Sequence, residues 1–245
     1  MMADTAQSTS TQLLRGHIRN LRSTRQSQEF LFTDADRTAM GVTAVAAELA
    51  GLGGVAIGLA ASADDTAEDA DLLEFELDGK SIRAWVWVSV FKEGDEVEIV
   101  AERLGQVWHV FGIRRVSDRI VALHPHCSRG RYAHYKATVR WWFLIYSSMM
   151  LIMVLLGVVM SFFDPVDNWL GIFYMYAGGG AIVAAIFGLI AFNISRKFMG
   201  FVRLAEGIFS GFGWKNVKNI DLPAITKKSK KPGDPGALGI LYFRY

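Results

Sequence analysis

The 245-residue sequence predicts an α+β membrane protein: a two-helix transmembrane hairpin plus a small five-stranded β-barrel and flanking helices. Three observations predict it. Two uncharged apolar runs, 23 and 24 residues long, stand five residues apart in the second half of the chain. Ahead of them, residues 72–127 change to period-two alternation broken by tight-turn signals. The composition is intermediate, with 51% hydrophobic residues, 20% charged residues and a mean hydropathy of +0.24. That is too apolar for an ordinary soluble domain and too charged for a chain that is membrane throughout.

Residues 1–71 form an N-terminal segment. MMADTAQSTSTQ has neither a basic n-region nor an apolar h-region, so no cleaved signal peptide is expected and the amino terminus is expected in the cytoplasm. Thr33 and Asp36 read as a helix start, and small apolar residues then run from Met40 to Ala63. An Ala/Gly-rich helix is therefore expected over about 34–63, with Gly54 and Gly58 at GxxxG spacing. Were it to span a bilayer, residues 64–140 and their basic cluster would lie on the wrong side. Glu48 would also cost about 2.5 kcal/mol or more near the bilayer centre. These costs favour a helix packed on another or lying at the membrane surface, and a third span stays open. The acidic ADDTAEDAD, residues 63–71, reads as a solvated hinge.

The barrel is expected over 72–127, of SH3-like or OB-like type. Leu72–Leu77 meets Ser81–Val90 across the turn Asp78-Gly79-Lys80. Asp95–Arg103, Gln106–Val116 and Arg119–Pro125 complete five strands, each introduced by a turn dipeptide. In AWVWVSV, Trp85 and Trp87 share one strand face. One barrel face must be core, so both are expected inside. Trp108, Tyr242, Phe243 and Tyr245 are then the candidate partner contacts, because rigid aromatic rings bury large area at low entropic cost.

Residues 128–193 hold a basic collar and the hairpin. Trp141–Phe163 and Trp169–Phe192 each exceed the roughly 20 apolar residues that cross a bilayer. The link DPVDN, 164–168, forces them antiparallel. Arg129, Arg131, Lys136 and Arg140 precede the first run, and Arg196, Lys197 and Arg203 follow the second, whereas the link carries only Asp164 and Asp167. Basic residues stay cytoplasmic, so both termini are expected inside and the link outside. Arg129, Arg131, Lys136, Arg140, Arg196 and Lys197, with Trp141, Trp142 and Trp169, are the candidate membrane-interface residues. Beyond them, 194–245 is expected to hold an amphipathic helix over Ser195–Phe212. A basic linker KKSKKPGDPG, 227–236, suits the anionic leaflet, and the tail LGILYFRY is a candidate edge strand.

HPHCSRGRYAH, 124–134, concentrates three histidines, the sole cysteine and two arginines. A cysteine phosphatase needs H-C-x5-R, and position 133 is alanine. Zinc would need closed ligand spacing, which this stretch lacks. A membrane collar needs nothing added: its bases meet lipid phosphates, Pro125 ends a strand and Gly130 permits a bend. No catalytic residue, metal or cofactor is expected. GxSxG, HExxH and GxxxxGK[ST] are all missing from the sequence, and no basic face suggests nucleic acid.

FLFTDADRTAMG (Phe30–Gly41), the Ala/Gly run, SVFKEGDEVEIVAE (Ser89–Glu102), DRIVALHPHCSRGR (Asp118–Arg131) and the WW-led hairpin occur colinearly. Together, over about residues 12–245, they resemble a family of small bacterial membrane proteins labelled type VI secretion system effectors. The resemblance implies a secretion context and no catalytic residues. Two readings follow: a non-enzymatic protein anchored in the bacterial inner membrane that binds a protein partner in a toxin–immunity module, or a delivered effector that inserts into and permeabilises a target membrane. Expected partners are the bilayer and a module protein, with homo-oligomerisation left open.

Overall fold

The computed structural model describes residues 11–28, 68–163 and 168–245. Strands β1 (Gln12–Gln28), β2 (Glu68–Leu77), β3 (Lys80–Val86), β4 (Glu96–Leu104), β5 (Val107–Arg115) and β6 (Ile120–Leu123) come first. Helices α1 (Arg131–Ser161), α2 (Trp169–Lys197) and α3 (Met199–Gly211), a 3-10 turn at Val217–Asn219, α4 (Leu222–Ser229) and β7 (Phe243–Arg244) follow. The described residues fall into two units, one made of residues up to Arg131 together with Gly200–Tyr245, the other of Tyr132–Met199. The expected Ala/Gly-rich helix and most of the DPVDN link lie outside the described residues.

In the first unit, five strands close a barrel. β1 pairs antiparallel with β4 through its first half and with β2 through its second, so one long strand serves both walls. β2 pairs with β3, and β4 with β5. Parallel pairing of Ser81–Ala84 with Val107–Val110 closes the ring. β1 changes walls at a bulge, where Asn20 takes a left-handed φ of 54° and the register shifts between Arg19 and Arg22. The two backbone N–H groups freed there, of Asn20 and Leu21, each donate to the Glu93 carboxylate at 2.9 Å.

The ring corrects the expected strand set. β1 takes a place that the sequence reading gave to 119–125, while β6 sits beside the second half of β5 and carries β7 outside the ring. Residues 68–71, expected in a hinge, begin β2, and β3 ends at Val86 rather than Val90. The Asp78-Gly79 turn forms as expected, with both φ values positive.

Alternation sets the inner face: Ile18, Leu73, Phe75, Leu77, Ile82, Ala84, Val86, Val97, Ile99 and Trp108 fill the barrel. Trp85 on the opposite face of β3 and Trp87 just beyond its end are both half-buried, so the expectation that they are interior is reversed. Because Val86, Ala84 and Ile82 have the smaller volumes, they fit a narrow ring that two indoles would overfill. Outside, charges alternate across strands. Arg83 pairs with Glu74 at 2.7 Å, Arg25 with Asp71 at 3.1 Å and Arg114 with Glu98 at 2.5 Å. Opposite charges at facing positions favour this register over one-residue slips.

β4, β5 and β6 are covered on both faces, which explains their unbroken apolar runs IVA, VFGI and IVAL. Their outer face carries Val100, Phe111, Val121 and Leu123 against Ala205, Ile208, Phe209 and Phe212 of the α3 region. Gly112 allows the approach, since a Cβ there would meet Ile208 at 2.7 Å. The helix expected over Ser195–Phe212 is thus two pieces, the end of α2 and then α3. The basic linker is also corrected: Lys227 and Lys228 lie in α4, capped by Asp221, whose carboxylate accepts from the Ala224 N–H at 3.2 Å. β7, as the sequence allowed, adds to a strand edge through Ile120 and Val121.

The second unit is an antiparallel pair of helices, both long and apolar enough to cross a membrane. Their most apolar windows have mean hydropathies of 2.4 and 2.0 and are 0% and 6% buried, unlike the core helix of a soluble domain. Bulky groups of one helix meet glycines of the other: Tyr146 and Met150 lie against Gly180, Trp142 against Gly188, and Tyr176 against Gly157. The Tyr146 hydroxyl donates to the Gly180 carbonyl at 2.9 Å, and Thr138 Oγ1 to Ser195 Oγ at 3.1 Å. Asn168 caps α2 by accepting from the Gly171 N–H at 2.8 Å. Gly180→Leu should separate the pair and cost about 1–3 kcal/mol. Thermal unfolding in detergent, against Gly178→Leu where a side chain meets open space, checks this.

Candidate functional site

The stretch 124–134 follows β6, and its histidines, cysteine and arginines are buried or partnered within the fold. The His124 N–H donates to the Phe111 carbonyl at 2.8 Å, which extends the β5–β6 ladder and turns the ring inward. Burial lowers the His124 pKa to about 4. Cys127 is 1% exposed, and burial pushes its thiol far above the ordinary value. A nucleophilic cysteine needs the opposite environment, partly exposed and electropositive. His126 takes a left-handed φ of 66° and sets its ring 5.2 Å from both Trp87 and Phe201, with Nε2 2.8 Å from the Glu68 carboxylate.

Arg129 and Arg131, expected at the membrane interface, each have an acidic partner within the fold. Arg129 Nε donates to Asp221 at 3.1 Å, and the neighbouring backbone forms a bridge to the same residue. The Gly130 N–H donates to the Ile220 carbonyl at 2.9 Å, and the Leu222 N–H to the Ser128 carbonyl at 3.2 Å. Arg131 grips Glu206 of α3 through its guanidinium at 2.9 Å and through its own backbone N–H at 2.8 Å. Glu206 thereby places a carboxylate at the N-terminus of α1, whose first turn holds no acid of its own. Residues 128–131 are a seam that holds the carboxy-terminal segment to the barrel unit. Glu206 and Asp221 were not singled out from sequence. An acid on an otherwise apolar helix face was the signal at Glu206.

The remaining flank residues are differently placed. Lys136 and Arg140 are exposed on α1, and Trp141 is 62% exposed. Trp142 turns from the expected interface to the helix pair, stacked on Tyr146 at 6.0 Å. Trp169 is the first residue of α2. Arg196 lies 5.9 Å over the Phe192 ring, and Lys197 is exposed.

Three of the four expected partner contacts are buried, which removes the accessible surface that role requires. Trp108 is 8% exposed, Tyr242 5% and Phe243 4%. Trp108 and Tyr242 join the barrel core, and Phe243 joins the layer beneath α3. Tyr245 is half-buried, 5.1 Å from the Trp214 ring and 5.5 Å from the Arg114 guanidinium. The barrel's concave surface lies elsewhere: an open cavity of about 700 Å³ beside the β1 bulge. Its walls include Arg22, Glu74, Phe75, Arg83 and Glu93. Among the described residues Arg22 makes no ion pair, although Glu74 faces it across the β1–β2 ladder.

The buried His124 has a consequence for stability. Its folded pKa is about 4, below the ordinary histidine value of 6.5, so the unfolded chain binds the proton first as pH falls. Its neutral burial is therefore without cost above pH 6.5 and destabilises progressively from there down to about pH 4. The loss reaches about 3 kcal/mol. Urea unfolding across that window should show a weaker pH dependence in His124→Asn than in the parent. Compared with known proteins, the chain matches no family model, no curated protein and no solved structure.

Proposed function

We propose that the protein is a non-enzymatic inner-membrane protein whose barrel unit binds a protein partner on the cytoplasmic side. The sequence resemblance puts that partner in a type VI secretion toxin–immunity module. The observation that carries the anchored reading is the outward display of α1 and α2. Phe143, Ile145, Leu151, Phe173 and Leu189 are all exposed, which in water would be an apolar surface far beyond what a soluble monomer tolerates. The basic flanks and the acidic link support both termini on the cytoplasmic side.

Binding rather than catalysis draws support from the burial of Cys127 and His124, two of the groups in 124–134 with nucleophilic or acid–base potential. The ring order β1-β2-β3-β5-β4, closed by a parallel β3–β5 pair, supports an OB-like barrel. Barrels of that kind bind ligands on the face of strands 2 and 3, where the cavity beside Glu74 and Arg83 lies. The permeabilising reading draws less support, because Ser148 and Ser161 return their hydroxyls to carbonyls of their own helix.

Reporter fusions at the amino terminus, in the 164–168 link and after Tyr245 test the topology. A cytoplasmic signal from the link would overturn it. Expression in a naive host should be harmless, and lethality would favour the effector reading. For the binding surface, Arg22→Glu should weaken partner co-purification at least tenfold by placing like charge against Glu74 and Glu93. Membrane insertion should be unchanged.

A further inference from the structure

The chain after Phe212 carries six lysines and one arginine against two aspartates. Both aspartates are already taken: Asp221 pairs with Arg129 at 3.1 Å and Asp234 with Arg244 at 3.1 Å. Lys230 donates to the Leu238 carbonyl at 3.2 Å. Lys215, Lys218, Lys227, Lys228 and Lys231 are exposed, and among the described residues their ammonium groups make no ion pair.

The segment is folded, which fixes the direction of the lysines that α4 carries. Leu222 and Thr226, both 0% exposed, mark the inner face of α4. Thr226 Oγ1 accepts from the Arg244 N–H at 2.9 Å, and Gly239 lies against the same threonine. Arg244 closes the far end of α4 by donating to the Ser229 carbonyl at 3.0 Å. With β7 and the tail on the inner face, α4 turns Ala224, Ile225, Lys227 and Lys228 outward. Ile225 is 40% exposed and Ile240, next to Gly239, is 69% exposed.

We infer that these exposed lysines, with the two isoleucines, bind the phosphate headgroups of acidic phospholipids in the bilayer that holds the hairpin. The inference rests on the reading of α1 and α2 as membrane spans. Two features favour lipid over an acidic protein. Unpaired lysines interspersed with single exposed aliphatic side chains suit an interface where ammonium groups meet phosphate and short apolar groups enter the acyl boundary. The connections between the two units are also short: Arg131 opens α1 directly, and only Phe198 separates α2 from α3. A surface tethered that closely meets headgroups at high effective concentration, so weak individual contacts suffice.

The full chain, reconstituted in vesicles of phosphatidylcholine alone or with added phosphatidylglycerol, tests this through the rate of amine acetylation at each lysine. Acetylation of Lys215, Lys218, Lys227, Lys228 and Lys231 should be several-fold slower with phosphatidylglycerol, and high salt should reverse it. Lys80 and Lys92 on the barrel should be unaffected. In a K215Q/K218Q/K227Q/K228Q variant, Lys231 should lose its protection while flotation with vesicles persists. Equal rates in both vesicles, with the protein floating, would overturn the lysine contacts alone. Failure to float with either vesicle would overturn the membrane reading as well. Equal protection by inorganic phosphate over pure phosphatidylcholine would replace the lipid with a free-anion site.

Discussion

Glu206→Ala will destabilise the barrel unit by about 1–3 kcal/mol, the range for taking the acceptor from charge-assisted hydrogen bonds that are only partly exposed. The Glu206 side chain is 10% exposed and receives the Arg131 guanidinium through Nε and Nη2 as well as the Arg131 backbone N–H. Without the carboxylate, a guanidinium and a helix-terminal N–H lose their acceptor together. Glu206→Gln keeps an acceptor for the backbone N–H but not the charge, so its cost should be smaller. Urea unfolding followed by tryptophan fluorescence in detergent checks the order. Equal stability of Glu206→Ala and the parent would mean that water replaces the carboxylate.

Gly130→Ala will cost about 3 kcal/mol or prevent assembly of the carboxy-terminal segment, at the upper end for overpacking a tight site. A Cβ there would lie 2.1 Å from the Val217 carbonyl oxygen and 2.8 Å from the Lys218 backbone. Backbone cannot step aside as a side chain can. The Gly130 N–H must at the same time stay on the Ile220 carbonyl at 2.9 Å. Gly130 is thus required for close approach, and its φ is not among the positive ones. Gly236→Ala, where a Cβ meets nothing within 4 Å, is the control and should stay within about 0.5 kcal/mol. Limited proteolysis after Phe212 would report detachment of the segment in Gly130→Ala.

Much of this molecule follows from sequence by itself. The two apolar helices were legible because a run of more than 20 uncharged residues has few alternatives. The β2–β3 hairpin was legible because LLEFEL and SIRAWV alternate around an Asp-Gly turn, where only one face is buried. β1 was not legible. Leu14, Gly16 and Ile18 do alternate with Arg15, His17 and Arg19, but only Ile18 is fully buried, and RSTRQSQ beyond the bulge has no apolar period. Its place in the ring comes from pairing with β2 and β4, whose acids face its arginines.

Tertiary structure alone decided which aromatic residues are accessible. Alternation put Trp85 and Trp87 on one face without saying which face is inside, and the ring's small radius chose Val86 and Ala84 for the interior. Trp108 and Tyr242 went inside because closure by β3–β5 pairing and the folding back of the tail covered them. The basic stretch before α1 likewise carries charges whose partners lie on distant segments. Arg129 meets Asp221 and Arg131 meets Glu206, across separations of 92 and 75 residues. Local periodicity records which face of an element is apolar. What that face meets, and whether a charge finds a carboxylate or a lipid, depends on long-range packing that no local pattern encodes.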